Sequence, residues 1–236
     1  CHGIIWRKGK EWCSFDNPAD PYTGVEGYPP LEAEAHAVYC SHHHFDHDAV
    51  DCVRLLPARE SPFHVREIQA FHDDQKGALR GPNTIRVFTA GGVSVVHLGD
   101  LGHALSAEQL AAIGPVDGVL VPVGGVYTVD AQGAKAACDA IGPKWIVPMH
   151  YHHAPYGLPD IAGVEDFLAL WPAEQVHSLP GAGLDTETAP EGVLLPKFWL
   201  TRNSKSRNIV LNTGLHGLEV RLWSAEQRSH FWGILF

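Results

Sequence analysis

The chain has 236 residues, 45% of them hydrophobic and 19% charged. That is enough for one large domain with a buried core, and no apolar run approaches the ~20 residues a membrane helix needs. Seventeen Lys and Arg against 27 Asp and Glu leave a formal charge of −10, which repels a phosphate backbone and argues against nucleic-acid binding. The five cysteines are scattered with no C-x-x-C pair, so neither a disulfide framework nor a cysteine zinc site is indicated, and without a signal-peptide pattern the expected setting is the cytoplasm.

In chain order, Ile4–Trp6 and Trp12–Phe15 read as an opening hairpin around a polar turn. Ala37–Cys40 reads as a buried strand. A helix is expected over about Ala49–Leu56, with Val50, Val53 and Leu56 on one face and Pro57 as its stop. Ile85–Phe88 and Val93–Leu98 are β-branched runs separated by Ala90-Gly91-Gly92, a hairpin signal. Ser106 starts a helix with a capping box to Gln109, and Gly114-Pro115 stops it. Val119–Val123 is a strand, Asp130 caps a helix running to Gly142-Pro143, and Trp145–Val147 is a strand that leads into His150. This alternation is that of layered α/β folds. Beyond Pro196 the charge changes sign, with six Lys and Arg against two acids. Residues 197–236 are therefore set apart as a basic, aromatic extension.

Histidine carries the functional signal. Of 16 histidines, four fall within Ser41–His47 and three within His150–His153. His42, His44, Asp46 and His47 form His-x-His-x-Asp-His between an expected strand and an expected helix. A tight turn there aims several imidazoles and a carboxylate at one point, a donor set that holds divalent metals. A solvated histidine-rich loop is the plain alternative. The embedded acid and the distant partners His72, Asp100 and His150, the last two directly after strands, weigh for metal.

These residues, with Phe71-His72-Asp73, Arg80-Gly81-Pro82-Asn83-Thr84, His97-Leu98-Gly99-Asp100-Leu101-Gly102-His103 and Pro148-Met149-His150-Tyr151, resemble the metallo-β-lactamase superfamily from about Asp20 to Ser178. Within it they look like the bacterial and archaeal metal-dependent hydrolases related to L-ascorbate 6-phosphate lactonase. The resemblance implies an αββα sandwich with two divalent metals, zinc first and manganese or iron next. His42, His44 and His72 would hold one metal, Asp46, His47 and His150 the other, and Asp100 both. Asp46 would also orient a metal-bridged water that serves as the nucleophile. Arg80, His103 and Tyr151 are the candidates to meet a small-molecule substrate; Asn83 is a candidate to tie backbone together, and His97 and His43 are read as packed and exposed. In the opening, Cys1-His2 stands where the superfamily has a Gly-His pair, while Asp20-Pro21 matches its Asp-Pro element, so the resemblance implies an atypical opening over 1–19 and a metallo-β-lactamase-like hydrolase domain over 20–196.

Hydrolysis of a small ester, lactone or phosphoester leads. His44 stands where the flavodiiron redox branch has Glu, and the interval from Asp100 to His150 leaves no room for an inserted nuclease domain. A nuclease-type phosphodiesterase and a metal-binding protein with a vestigial site are the alternatives.

Overall fold

The computed structural model describes residues 4–8, 11–15, 33–44, 47–48, 50–58, 60–61, 63–154, 158–180, 184–196, 209–213 and 218–222. In chain order the strands are β1 (Ile4–Lys8), β2 (Glu11–Phe15), β3 (Ala33–Ala35), β4 (Val38–Tyr39), β5 (Val53–Leu55), β6 (His64–Phe71), β7 (Pro82–Ala90), β8 (Val93–His97), β9 (Gly118–Pro122), β10 (Trp145–Met149), β11 (Val176–Ser178), β12 (Gly192–Leu195), β13 (Ile209–Thr213) and β14 (Leu218–Leu222). The α-helices are α1 (Ala107–Ile113), α2 (Ala131–Ile141) and α3 (Glu165–Leu168). They form two compact units, one of residues 1–62, 178–189 and 196–236, the other of residues 63–177 and 190–195.

In the first unit, β1 and β2 pair antiparallel, so the opening hairpin forms as its sequence predicts. The sheet continues on both sides, in the order β14-β13-β1-β2-β4. Two of its five strands therefore come from the basic, aromatic C-terminal segment, with β13 parallel to β1. β4 spans only Val38–Tyr39 and is half-buried rather than buried. The helix expected over Ala49–Leu56 does not form. A 3-10 turn, Val50–Cys52, leads instead into β5, which pairs parallel with β3. Val53 is 6% exposed, whereas Leu55 is 63% exposed and Val50 43%, so an apolar helix face is not what this segment buries. β-branched side chains lose rotamer freedom in a helix and fit the pleat of a strand, and here strand pairing prevails.

The second unit is built on a seven-stranded sheet, β11-β12-β10-β9-β8-β7-β6. All residues of β9 and β10 are buried, as central parallel strands require. β7 and β8 form a hairpin across Gly91-Gly92, both at positive φ (59° and 84°), the left-handed pair that a two-residue hairpin turn demands. Ile85 and Val87, Val96 and Leu98, and Val119, Val121 and Val123 present alternate side chains to one core, where Ala134, Ala137 and Cys138 of α2, Ile113 of α1 and Phe167 of α3 meet them. Burying each large aliphatic side chain stabilises the fold by about 1.5–3 kcal/mol. α1 has the predicted capping box: Ser106 Oγ accepts from the Gln109 N–H and Gln109 Oε1 from the Ser106 N–H. At its other end Arg66 of β6 donates to the carbonyls of Ala112 and Ile113, at 3.2 and 2.9 Å, which the helix leaves unpaired. α2 starts at Asp130, whose side chain accepts from the Gly133 N–H, and ends at left-handed Gly142.

Candidate metal centre

β6 and β8 both run antiparallel to β7, and β8, β9 and β10 run parallel. β6, β8 and β10 thus share one direction, and their C-terminal ends lie on one edge of the sheet. His72 follows β6, Asp100 follows β8 and His150 follows β10, so three candidates separated by dozens of residues leave the same edge. There His72 Nε2 lies 3.1 Å and His150 Nε2 3.2 Å from Asp100 Oδ2. All three are buried, at 3%, 2% and 9% exposure for His72, Asp100 and His150. Two imidazole nitrogens converging on one carboxylate oxygen, out of bulk water, match the donors that zinc and other borderline divalent ions take.

The local chain explains this placement. Asn83, 1% exposed, donates from Nδ2 to the Leu98 carbonyl at 2.8 Å and accepts on Oδ1 from the Asp100 N–H at 3.0 Å. It ties together the backbone on both sides of the turn into Asp100. His97 is buried and accepts on Nδ1 from the Gly99 N–H at 2.9 Å, which makes it a packed group of the same turn. His150 itself sits at φ 52°, a left-handed conformation that costs a non-glycine residue energy and that the surrounding packing imposes.

Three contributors were given no role in the sequence reading. Asp73, beside His72, is buried and collects four backbone N–H groups: Gln75 and Gly77 on Oδ1, both at 2.8 Å, and Leu79 and Arg80 on Oδ2, at 3.0 and 2.7 Å. Burial pushes its carboxyl upward, but the four hydrogen bonds prevail and hold it below the usual carboxylate range. The loop they shape returns to accept the His72 N–H on the Gly81 carbonyl at 3.1 Å. Gly102 and Gly124 permit close backbone approach: a Cβ on Gly102 would run into the carbonyl of His72 and the nitrogen of Asp73, and one on Gly124 into the carbonyl of His150. The signal for Asp73 was present, an acid followed by Gly77 and Gly81, both at positive φ in the structure. For the two glycines, no local pattern reveals which backbone comes near.

The first unit holds the other candidate ligands. The His42 ring centroid lies 4.6 Å from that of His44 and 4.3 Å from that of His47. Ser41 Oγ is 2.9 Å from His42 Nδ1, and the His47 N–H donates to the His44 carbonyl. His42 and His47 are buried at 4% and 1%, while His43 points away and pairs with Asp48 at 2.8 Å, as its alternation predicts. Asp46 lies outside the described residues.

The remaining candidates belong to the second unit. His103 accepts on Nε2 from the Phe71 N–H at 3.1 Å and is 2.8 Å from the Ala104 carbonyl through Nδ1. Both its ring nitrogens are thus committed to backbone, which leaves none for a substrate. Arg80 lies over the Tyr127 ring, and Tyr151 is half-buried after His150.

The model of the β-lactamase superfamily domain matches residues 18–150, more than half of the chain. The chain belongs to the metallo-β-lactamase superfamily. Among superfamily relatives, a metal-dependent hydrolase of Carboxydothermus hydrogenoformans is 38% identical over 80 residues, which cover 34% of this chain and 35% of that one. One from Pyrococcus furiosus is 29% identical over 133 residues, covering 55% and 58%. The chain therefore spans between about a third and three fifths of the length of these curated relatives. A solved structure from Thermotoga maritima, described as a candidate Zn-dependent hydrolase of the metallo-β-lactamase superfamily, superposes with a TM-score of 0.64 at 28% identity, over 83% of this chain and 98% of that one. The mixed α/β architecture is that of the metallo-β-lactamase fold, as the resemblance implied.

Proposed function

We propose that the chain is a metal-dependent hydrolase of a small ester, lactone or phosphoester, with its chemistry in residues 20–196. His42, His44 and His72 are the ligands of one divalent ion, Asp46, His47 and His150 those of a second, and Asp100 serves both. The observation that carries this reading is the convergence of His72 and His150 on one buried oxygen of Asp100. The clustered imidazoles of His42, His44 and His47, and the relatives' description as metal-dependent hydrolases, support it. The motifs around His72, Arg80 and Asp100 favour the branch related to L-ascorbate 6-phosphate lactonase, and a small soluble substrate in the cytoplasm fits the acidic chain.

Zinc suits the donor set, and manganese or iron takes the same ligands. Bound divalent metal supplies Lewis-acid polarisation and lowers the pKa of water toward ~7. The protein's own part is positional. Asn83 and Asp73 hold Asp100 and His72 in place, Asp46 is the carboxylate that would orient the attacking water, and His42, His47, His72, Asp100 and His150 are buried away from bulk solvent. His103 fixes the backbone at Phe71, while Tyr151 and Arg80 face the substrate.

The test is elemental analysis of the full chain with a turnover screen over lactones, phosphodiesters and β-lactams. Two equivalents of metal, lost in Asp100→Asn together with turnover and kept in His43→Ala, are expected. A chain that takes up no metal from supplemented medium would refute the reading.

A further inference from the structure

We infer that Arg80 is the recognition group for an oxyanion on the substrate, and that the substrate is a small amphipathic anion whose apolar part lies against Leu79 and Val126. The inference rests on the hydrolase reading for the identity of what is bound as substrate.

The Arg80 backbone N–H is committed to Asp73, but its side chain is not needed there. Arg80 is half-buried, its guanidinium carbon lies 5.6 Å from the centroid of the Tyr127 ring, and with no described residue does the side chain form a hydrogen bond or ion pair. In a chain of net charge −10, with 27 acidic residues available, a planar five-donor fork that is partly desolvated and left without an acceptor is suited to a ligand oxyanion. The aromatic face below it partly compensates the charge. Tyr127 is held in turn by its hydroxyl, which donates to Asp160 at 2.7 Å.

The loops that carry this pair are tied to the segments of the proposed ligands. The Arg80 loop returns to His72 through the Gly81 carbonyl. The Tyr127 loop is pinned at one end by Gly124, packed on the His150 carbonyl, and at the other by the Val129 N–H, which donates to the carbonyl of Leu101, next to Asp100. The residues beside the two stacked partners are apolar and exposed, Leu79 at 61% and Val126 at 54%. Val126 also adopts φ 59°, a conformation that a β-branched residue takes only where the surrounding structure imposes it. A guanidinium without an acceptor among the described residues, on a loop tied to His72 and, with its ring partner Tyr127, flanked in sequence by exposed aliphatic residues, fits an anion with an apolar substituent. A neutral lactone or a sugar fits them poorly.

Because the loop is held by the Arg80 backbone, Arg80→Met removes the fork without removing the bond to Asp73. Two measurements on the metal-loaded full chain test the assignment. Calorimetry with phenylphosphonate, which is not hydrolysed, should show binding that Arg80→Met weakens roughly ten- to hundredfold and Arg80→Lys less, with metal content and thermal midpoint unchanged. Methylphosphonate should bind more weakly than phenylphosphonate, and Val126→Gly should remove most of that difference. Kinetics with mono-4-nitrophenyl succinate and 4-nitrophenyl butyrate, which share a leaving group, should show Arg80→Met raising KM for the anionic ester only. Equal binding of phenylphosphonate by wild type and Arg80→Met, or equal loss on both esters, would overturn the assignment while turnover kept the hydrolase reading intact. Arg80-dependent binding without turnover of any ester would do the reverse.

Discussion

Asp73 and Gly102 show how closely the backbone is built around His72. Asp73 is not among the proposed ligands, yet its four hydrogen bonds shape residues 74–81, and Gly81 closes that loop on the His72 N–H. Residues that orient ligands typically cost metal affinity about tenfold or more when removed. Asp73→Asn should therefore weaken metal binding to that extent with all proposed ligands intact, as measured by competition with a chromogenic chelator; unchanged affinity would mean that the loop does not set His72. Gly102→Ala should be as damaging, since its Cβ would collide with His72 backbone, whereas Gly81 and Gly92 open onto free space and substitution there meets only backbone strain. Comparing the metal content of Gly102→Ala with that of Gly92→Ala separates collision from strain.

At the scale of elements, α2 rests on a polar cap and a buried face. The Asp130 side chain accepts from the Gly133 N–H at 2.8 Å, so Asp130→Ala should cost about 1 kcal/mol in chemical denaturation, with no effect on metal content. Cys138, on the buried face, is 1% exposed. Burial first, and Asp139 next, push its thiol from an ordinary 9.0 up to about 12, against a smaller opposing pull from Lys135. Above pH 9 the unfolded chain ionises this thiol while the folded chain keeps it protonated, so the unfolded state binds fewer protons and stability falls as pH rises from about 9 toward 12. Cys138→Ala should flatten that part of the stability profile, and in the native protein Cys138 should resist alkylation at pH 8 until the chain unfolds. An unchanged alkaline slope in Cys138→Ala would show that other groups produce it.

On the scale of the whole molecule, the C-terminal segment is part of the architecture. β13 and β14 make up two of the five strands in the sheet of the opening hairpin, and β13 covers one edge of β1 along its full length. Truncation after Pro196 would expose that edge, a row of unpaired backbone groups prone to association. Such a chain should lose hydrogen-exchange protection over residues 4–15 and aggregate at lower temperature than the full chain. Protection equal to the full chain's would mean that β1 and β2 hold without it. The proposed ligands of the second unit, His72, Asp100 and His150, follow strands of a sheet that the truncation leaves whole.

The hairpin at Gly91-Gly92, the capping box at Ser106 and the α2 boundaries at Asp130 and Gly142 were legible in the sequence because each depends on residues a few positions apart, whose turn or cap chemistry is local. The candidate ligands were legible for a related reason: imidazoles and carboxylates directly after strands are few, and their order along the chain is distinctive. The segment 49–56 was misread because a spacing of three between Val50, Val53 and Leu56 suits a helix face, while burial and pairing with β3 favour a strand, and pairing is not a local property. Only the tertiary structure decided that His72 and His150 meet at Asp100, that a carbonyl leaves no room for a Cβ at Gly102 and Gly124, and that the Arg80 side chain finds no acceptor among the described residues. Those facts depend on which strands share a direction and which loops come together at one sheet edge, and such long-range pairings are selected by burial of the whole core rather than by any short stretch of residues.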